Sequence, residues 1–250
     1  MSSERKCVYG IIQEPESTRF AFSGVEGREV YAVTHQGLAA VVSDTGLEEI
    51  DPTRKNVIAH TLVQEELLKT YTLLPMGFGM IANSEEDVVR LLEKNYLGLT
   101  DELMRLAGKV EVELKVYWDQ AAMIGELRGR SEELTRLEAK IKAASSPVEA
   151  QRLLMEAGRL VERVVLNWKS KYADRVYTSL KASSVDARLN SPLGVKNILN
   201  ASFLIEKARE SDFRDQVYKL DSQYQGKVNL KYVGPLAPYS FVTLKLEPVS

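Results

Sequence analysis

The sequence predicts an α+β protein of two domains. Three observations carry that reading. Val110 to Trp118 alternates strictly, with Val110, Val112, Leu114 and Val116 on one face, which is the period of a half-buried strand. Short β-branched runs and amphipathic helical runs share the first hundred residues. Between them and the later strands, Leu127, Leu134 and Ile141 recur every seven residues, and a helix restart follows at Ser146-Pro147-Val148-Glu149.

Cys7 to Ile12 is a short apolar run closed by Pro15 and reads as a strand. A Gly-containing polar stretch, 17–27, follows it. Val30 to Val33 and Leu38 to Ser43, on either side of Gly37, form the economical pattern of a hairpin. Asp51-Pro52 reads as an N-cap acid with proline at the first helical position. The helix it opens would bury Val57, Ile58, Leu62, Val63, Leu67 and Leu68 and must stop by Leu74, because Pro75 disfavours helical geometry in its predecessor. Leu73 to Ile81 is then a buried strand or strand-like loop punctuated by Gly77 and Gly79. Ser84, with Asp87 three residues on, caps a helix with Val88, Val89, Leu91 and Leu92 on its core face. Gly98 interrupts it, and Thr100 caps a continuation through Leu103 and Leu106.

A domain boundary is expected just before the alternating strand, giving domains 1–108 and 109–250. Ala121 to Ala144 reads as a helix that pairs with the one opened at Pro147 in an antiparallel hairpin, an appendage at about 121–146. The second helix carries Leu153, Leu154, Ala157, Leu160, Val161, Val164, Val165, Trp168 and Tyr172 and runs to about Leu180. Strands are expected at Ala182–Leu189 and Ile198–Ile205, with a turn at Asn190 to Gly194. Ser211 caps a helix bearing Phe213, Val217, Leu220 and Tyr224, which Gly226 ends. Val228 to Val233 is a strand, Gly234, Pro235 and Pro238 break the chain, and Phe241 to Leu246 is a last strand or a bent continuation. From Val110 the order is strand, helix, strand, strand, helix, strand, the βαββαβ order of a ferredoxin-like domain with the helical hairpin inserted after its first strand. The first domain is a small α/β unit.

Composition narrows function. The chain has 33 Lys and Arg against 35 Asp and Glu, a net charge of −2, which argues against a dedicated nucleic-acid binder. One cysteine, Cys7, excludes an internal disulfide and a cysteine-rich metal site, and suits a reducing cytoplasm. No apolar leader follows Met1, and no run is long enough to span a membrane. No cofactor and no metal are expected.

No catalytic constellation is legible, so no catalytic, cofactor or metal residue is assigned. His60 lacks the second histidine of a zinc-binding helix and reads as an ordinary helix-face residue; His35 sits in a hairpin loop. Gly77-Phe78-Gly79 lacks the Gly-Lys-Ser/Thr that completes a phosphate loop, and no Gly-x-Ser-x-Gly elbow occurs. Cys7 reads as a small buried hydrophobe, and Trp118 and Trp168 as core aromatics. The hairpin stripe reads first as a seal between helices, with partner binding as its alternative. Exposed strand edges of the second domain offer a second docking mode.

An ordered set of segments resembles a known family. Val8-Tyr9-Gly10-Ile11 precedes Asn56-Val57-Ile58-Ala59-His60, then Leu73-Leu74-Pro75-Met76-Gly77-Phe78-Gly79 and Glu113-Leu114-Lys115-Val116-Tyr117-Trp118. Leu199 to Ile205 and the closing run Leu230 to Phe241 complete the set, which spans nearly the whole chain. Together these resemble the gas vesicle protein F/L family (GvpF/GvpL). The resemblance implies a two-domain fold with a ferredoxin-like C-terminal part. It also implies a non-enzymatic role, as an accessory or minor structural component of gas vesicles. The implied partners are the small hydrophobic shell protein GvpA and other accessory proteins, and no catalytic residues carry over. The competing reading is an enzyme or small-molecule sensor with a pocket between the domains that includes His60. A nucleic-acid-binding ferredoxin-like domain lacks its basic excess and aromatic motif.

Overall fold

The computed structural model describes residues 4–15, 18–194, 196–224 and 226–247. Residues 1–3, read above for a leader, and Ser17, at the start of the polar stretch, lie outside the described residues. The fold is mixed α and β, with two sheets, and by contacts the chain divides into two units. The first holds Met1–Glu111, Glu206–Ala208 and Pro235–Ser250; the second holds Val112–Ile205 and Arg209–Gly234. The expected division at 108/109 did not anticipate that residues 206–208 and 235–250 group with the first unit.

The first sheet is built around β1 (Arg5–Gln13), whose side chains from Lys6 to Ile12 are all buried. With β2 (Arg19–Ser23), β3 (Glu29–His35), β4 (Leu38–Thr45) and β5 (Leu74–Pro75), the strand order is β2-β3-β4-β1-β5, and β6 (Ile81–Ala82) also pairs with β1. Gln36 and Gly37 both have positive φ (48° and 85°), the two-residue turn whose twist matches that of the hairpin it closes. Leu73–Ile81, expected as one strand-like segment, forms two short strands, each against β1. Gly10 is where they come closest: a Cβ there would lie 2.5 Å from Leu73 Cδ1 and 2.9 Å from the Leu74 carbonyl oxygen.

Helix α1 (Arg54–Thr70) starts later than expected. Its N-cap is Thr53, whose hydroxyl accepts from the Asn56 amide, while the Asp51 carbonyl accepts from the Asn56 side chain. Its buried face is also rotated from the expected one: His60, Val63, Gln64, Leu67 and Leu68 are inside, and Val57, Ile58 and Leu62 are exposed. Helix α2 (Glu85–Lys94) has the expected Ser84 cap. The break before α3 (Tyr96–Leu106) falls at Asn95, not at Gly98. Thr100 caps nothing; its hydroxyl donates back to the Tyr96 carbonyl inside the helix.

The last residues close the first unit. Phe241–Leu246 is not a strand: a 3-10 turn at Tyr239–Phe241 leads into extended chain through Glu247. Buried polar side chains hold it at three points. Glu111 accepts from the Ser240 amide and hydroxyl, Glu102 accepts from the Thr243 amide at 2.6 Å, and Asn95 accepts from the Glu247 amide at 2.8 Å. Arg105 pairs with both oxygens of Glu102 and donates to the Phe241 carbonyl. Leu244 lies where a Cβ on Gly98 would be, 2.8 Å from its Cδ1. Gly98 therefore admits the C-terminal segment instead of breaking a helix.

The second sheet has the order β10-β7-β9-β8, from β7 (Lys109–Trp118), β8 (Asp186–Asn190), β9 (Asn197–Glu206) and β10 (Val228–Leu236). β8 begins at Asp186 because the preceding helix continues to Lys181. The helix expected over 121–144 is two helices, α4 (Gln120–Arg130) and α5 (Glu132–Lys142), parted at Ser131, whose hydroxyl caps α5. α6 (Pro147–Lys181) is 35 residues long and capped by Ser146 as expected. α7 (Glu210–Gln223) buries Phe213 and Val217; its N-cap position is Arg209 and not Ser211.

The Arg105 pairing and the hydrogen bonds to Thr243 hold the Glu102 carboxyl at about 2, against burial, which would raise it. Its folded value lies below its unfolded value of 4.5, so its contribution is present above pH 4.5 and is lost as pH falls towards 2. Glu102→Gln keeps the side-chain volume but removes the buried carboxylate that the exposed Arg105 pairs with and Thr243 bonds to, and should lower stability at pH 7 by roughly 1–3 kcal/mol in urea unfolding. Hydrogen exchange at residues 241–247 should speed up more than in β1. Unchanged exchange there would show that Glu102 does not hold the segment.

Candidate functional site

The interior of the first unit contains the polar groups that could be taken for chemistry. Gln64 projects from α1 into the core, where its Nε2 lies 2.7 Å from the Tyr9 carbonyl oxygen and 3.0 Å from that of Met76. Its two hydrogens satisfy both carbonyls, and the Tyr239 hydroxyl donates to its Oε1 at 2.8 Å. His60 is one turn earlier, with its ring between Tyr9 (5.1 Å) and Phe78 (5.6 Å). Its Nε2 is 3.0 Å from both the Met76 carbonyl oxygen and Gln64 Nε2; with both Gln64 hydrogens directed at carbonyls, the tautomer that satisfies the ring is Nε2–H donating to Met76. Nδ1 then faces the core as a bare acceptor with no partner among the described residues. His60 is therefore a buried core histidine on the inner face of α1.

The other sequence candidates resolve similarly. Cys7 is buried, and burial pushes its thiol up to about 11, which leaves it a poor nucleophile. His35 makes an edge contact with the Tyr96 ring. Gly77 and Gly79 flank Phe78, the ring that packs on His60. Among the described residues, no group of three or more His, Cys, Asp or Glu could hold a metal ion, and no helix is long and apolar enough to cross a membrane. A polar cleft of about 390 Å³ opens beside Lys6, Arg19, Glu29, Tyr31 and Asp44. Four of its five charged side chains pair with one another, Lys6 with Asp44 at 2.5 Å and Arg19 with Glu29; Tyr31 donates to Asp44 at 2.7 Å, and Glu85 also lines it.

The helical appendage of the second unit is the more informative surface. Leu127, Leu134, Leu137, Leu153, Ala157 and Leu160 form one buried cluster, with Ile141, Val161, Val164 and Trp168 packed against it. The stripe read from the sequence is spent on sealing these three helices. Leu154, expected in that stripe, is exposed. On the opposite side of α6, Val148, Met155 and Leu166 are 78%, 54% and 58% exposed. They are seven and eleven residues apart, close to two and three whole turns, so they form one line along the helix. Arg152, Arg159 and Glu162 lie beside that line. Sequence reasoning missed this surface. The spacing was available, but apolar residues on both sides of a helix do not say which side is covered.

Burial lowers the pKa of His60 below 6.5, and the Met76 carbonyl only partly offsets it. A lowered folded value means the unfolded chain binds the proton more readily, so stability should fall as pH drops below 6.5. His60→Phe keeps an aromatic ring between Tyr9 and Phe78 and removes the titration. Urea midpoints measured downward from neutral pH should fall more steeply for the wild type than for this variant. Equal slopes would place the titration elsewhere.

The family model described as "Gas vesicle synthesis protein GvpL/GvpF" matches residues 6–243. The gas vesicle protein F of a Nostoc species is 27% identical over 240 residues, covering 95% of this chain and 97% of that protein. Its counterpart from a Streptomyces species is 29% identical over 238 residues, covering 94% and 98%. The crystal structure of GvpF from an Anabaena species superposes with a TM-score of 0.81 at 26% identity, covering 97% of this chain and 100% of that one. With a match over nearly its whole length, the chain belongs to the GvpL/GvpF family of gas vesicle synthesis proteins.

Proposed function

We propose that this chain is a non-enzymatic accessory or minor structural protein of gas vesicle assembly that binds the small hydrophobic shell protein GvpA and other accessory proteins. It would act in the cytoplasm and at the gas vesicle. The observation that carries this reading is the exposed line Val148, Met155, Leu166 on the outer face of α6. A shell subunit with apolar surface aggregates before assembly unless that surface is covered. An apolar line set among charges can cover it and remain soluble, as an amphipathic helix or strand docking on such a face would require. The absence of an enzymatic role is supported by the locked state of the buried polar groups: Gln64, Glu102 and Glu111 are committed to holding backbone.

The same reading takes the second unit as a ferredoxin-like domain with a helical appendage. Numbered along the chain, its strands lie in the order 4-1-3-2, which supports that assignment.

The test is co-expression with GvpA and affinity capture from the soluble fraction. The wild type should retain GvpA in solution. The triple variant Val148→Gln, Met155→Gln, Leu166→Gln changes only exposed positions, so helicity and melting temperature should hold while captured GvpA falls by about tenfold or more. Undiminished capture by a folded triple variant would remove α6 as the docking face. Failure of the wild type to capture folded GvpA would remove the direct contact. Recovery of the chain in purified vesicles would distinguish a shell component from a transient chaperone.

A further inference from the structure

β8 is the last strand in its sheet, and no further strand pairs with it among the described residues. Natural edges are usually blunted by lysine, proline or a bulge. The opposite edge strand, β10, carries Gly234-Pro235. β8 has neither proline nor lysine, and its register with β9 is regular from Asp186↔Leu204 to Asn190↔Asn200.

Along this edge β8 reads Asp186-Ala187-Arg188-Leu189-Asn190, and Val185 just before it is tied to β9, its amide donating to the Leu204 carbonyl at 2.8 Å. Val185, Asp186, Arg188 and Leu189 are all exposed. The charges are antisymmetric about Ala187. We propose that two copies of this chain pair antiparallel through β8, about a two-fold axis at Ala187. Each Asp186 then faces Arg188 of the other copy, and Ala187 faces itself. Opposite charges directly across an antiparallel pair are favourable, and like charges are not. This register makes two ion pairs and sets no like charges opposite one another.

The backbone of Ala187 suits that role. An N–H has one hydrogen, and that of Ala187 goes to the Asp186 carboxylate at 2.8 Å. Its carbonyl accepts from the Tyr177 hydroxyl at 3.2 Å. In an antiparallel ladder alternate residues bond inward and outward, and these side-chain bonds mark Ala187 as an outward residue. On pairing, Asp186 leaves its own strand for Arg188 of the second copy, and the two Ala187 residues exchange N–H···O=C bonds. Tyr177 keeps the carbonyl's second lone pair. Ala187 is in register with Phe203, whose ring packs on Tyr177 and Phe213, so Ala187 and Leu189 lie on the helix-covered side of the sheet. The ion pairs form on the other side.

Three residues a side, 186–188, make a small interface, so the dimer is weak and reversible. Sedimentation equilibrium of the full chain from about 10 µM to about 1 mM should show a monomer–dimer equilibrium that weakens as salt is added. Asp186→Arg and Arg188→Asp should each weaken it by about tenfold or more, by setting like charges across the axis. The double variant Asp186→Arg, Arg188→Asp restores the complementarity and should bring the constant back to within about threefold of wild type. Leu189→Lys, at an exposed position, provides a second disruption without touching the ion pairs. Circular dichroism and thermal melts confirm that each variant is folded. A chain that stays monomeric throughout, a dimer indifferent to the single reversals, or a double variant that fails to recover would each overturn the proposal. So would single reversals that abolish GvpA capture while the wild type is monomeric, because the edge would then belong to another protein.

Discussion

Gln64 occupies a helix face that would ordinarily be apolar, and its amide, once buried, has to find partners for two hydrogens and an oxygen. An unsatisfied amide in the core would cost several kcal/mol, on the order of a good share of a domain's net stability. The partners it finds are the carbonyls of Tyr9 and Met76 and the hydroxyl of Tyr239, which come from β1, from the chain just after β5, and from the C-terminal segment. One side chain therefore links three stretches of sequence, and the rest of the first unit follows from it. α1 must present residues 60, 63, 64, 67 and 68 inward, which turns Val57, Ile58 and Leu62 outward. The C-terminal segment must return so that Tyr239 reaches the cluster, and Glu111, Glu102 and Asn95 then hold its successive amides. Lys207 adds a further tie in the same unit, donating to the Leu68 and Lys69 carbonyls at the end of α1, where a cation also opposes the helix dipole favourably.

What was legible in the sequence was what local chemistry decides. The alternation of Val110 to Trp118, the hairpin around Gly37 and the caps at Ser84 and Ser146 depend on neighbours within a few residues, and these appear where expected. What was misread depends on partners far along the chain. The face of α1 is set by a glutamine whose ligands are up to 175 residues away, and a count of apolar residues gives a glutamine no weight. Gly98 looked like a helix breaker because its packing partner, Leu244, is distant in sequence. The final strand was expected from Phe241 to Leu246 because alternation does not distinguish chain paired to a strand from chain pinned by side-chain carboxylates. The candidate site was less legible still. Periodicity locates apolar positions on α6, but only packing shows that Leu153, Ala157 and Leu160 are covered while Met155 and Leu166 are not.

The change of buried face along α6 explains how one helix both seals the appendage and leaves an apolar line exposed. In its first half the buried positions are 153, 157 and 160, which meet α4 and α5. In its second half they are 165, 176 and 180, where Tyr177 meets Phe203 of β9 and Tyr172 meets Tyr224. The step from 160 to 165 is longer than a helical turn, so the inward face rotates as the helix passes from the appendage to the sheet. A 35-residue helix whose inward face rotates cannot bury every apolar residue; of the four large ones left exposed, Leu154 lies apart and Val148, Met155 and Leu166 fall in one line. Exposed apolar side chains scattered singly would call for no explanation. Three in a line, on a helix whose core face is already filled by its own neighbours, are a surface with its shape fixed in advance. A partner docking there would meet a rigid helix and would not have to order a flexible segment, which keeps the entropy cost of binding on the partner's side. That would suit the proposed role of holding an aggregation-prone subunit and releasing it, because affinity is then set by the apolar line itself and can be modest without loss of definition.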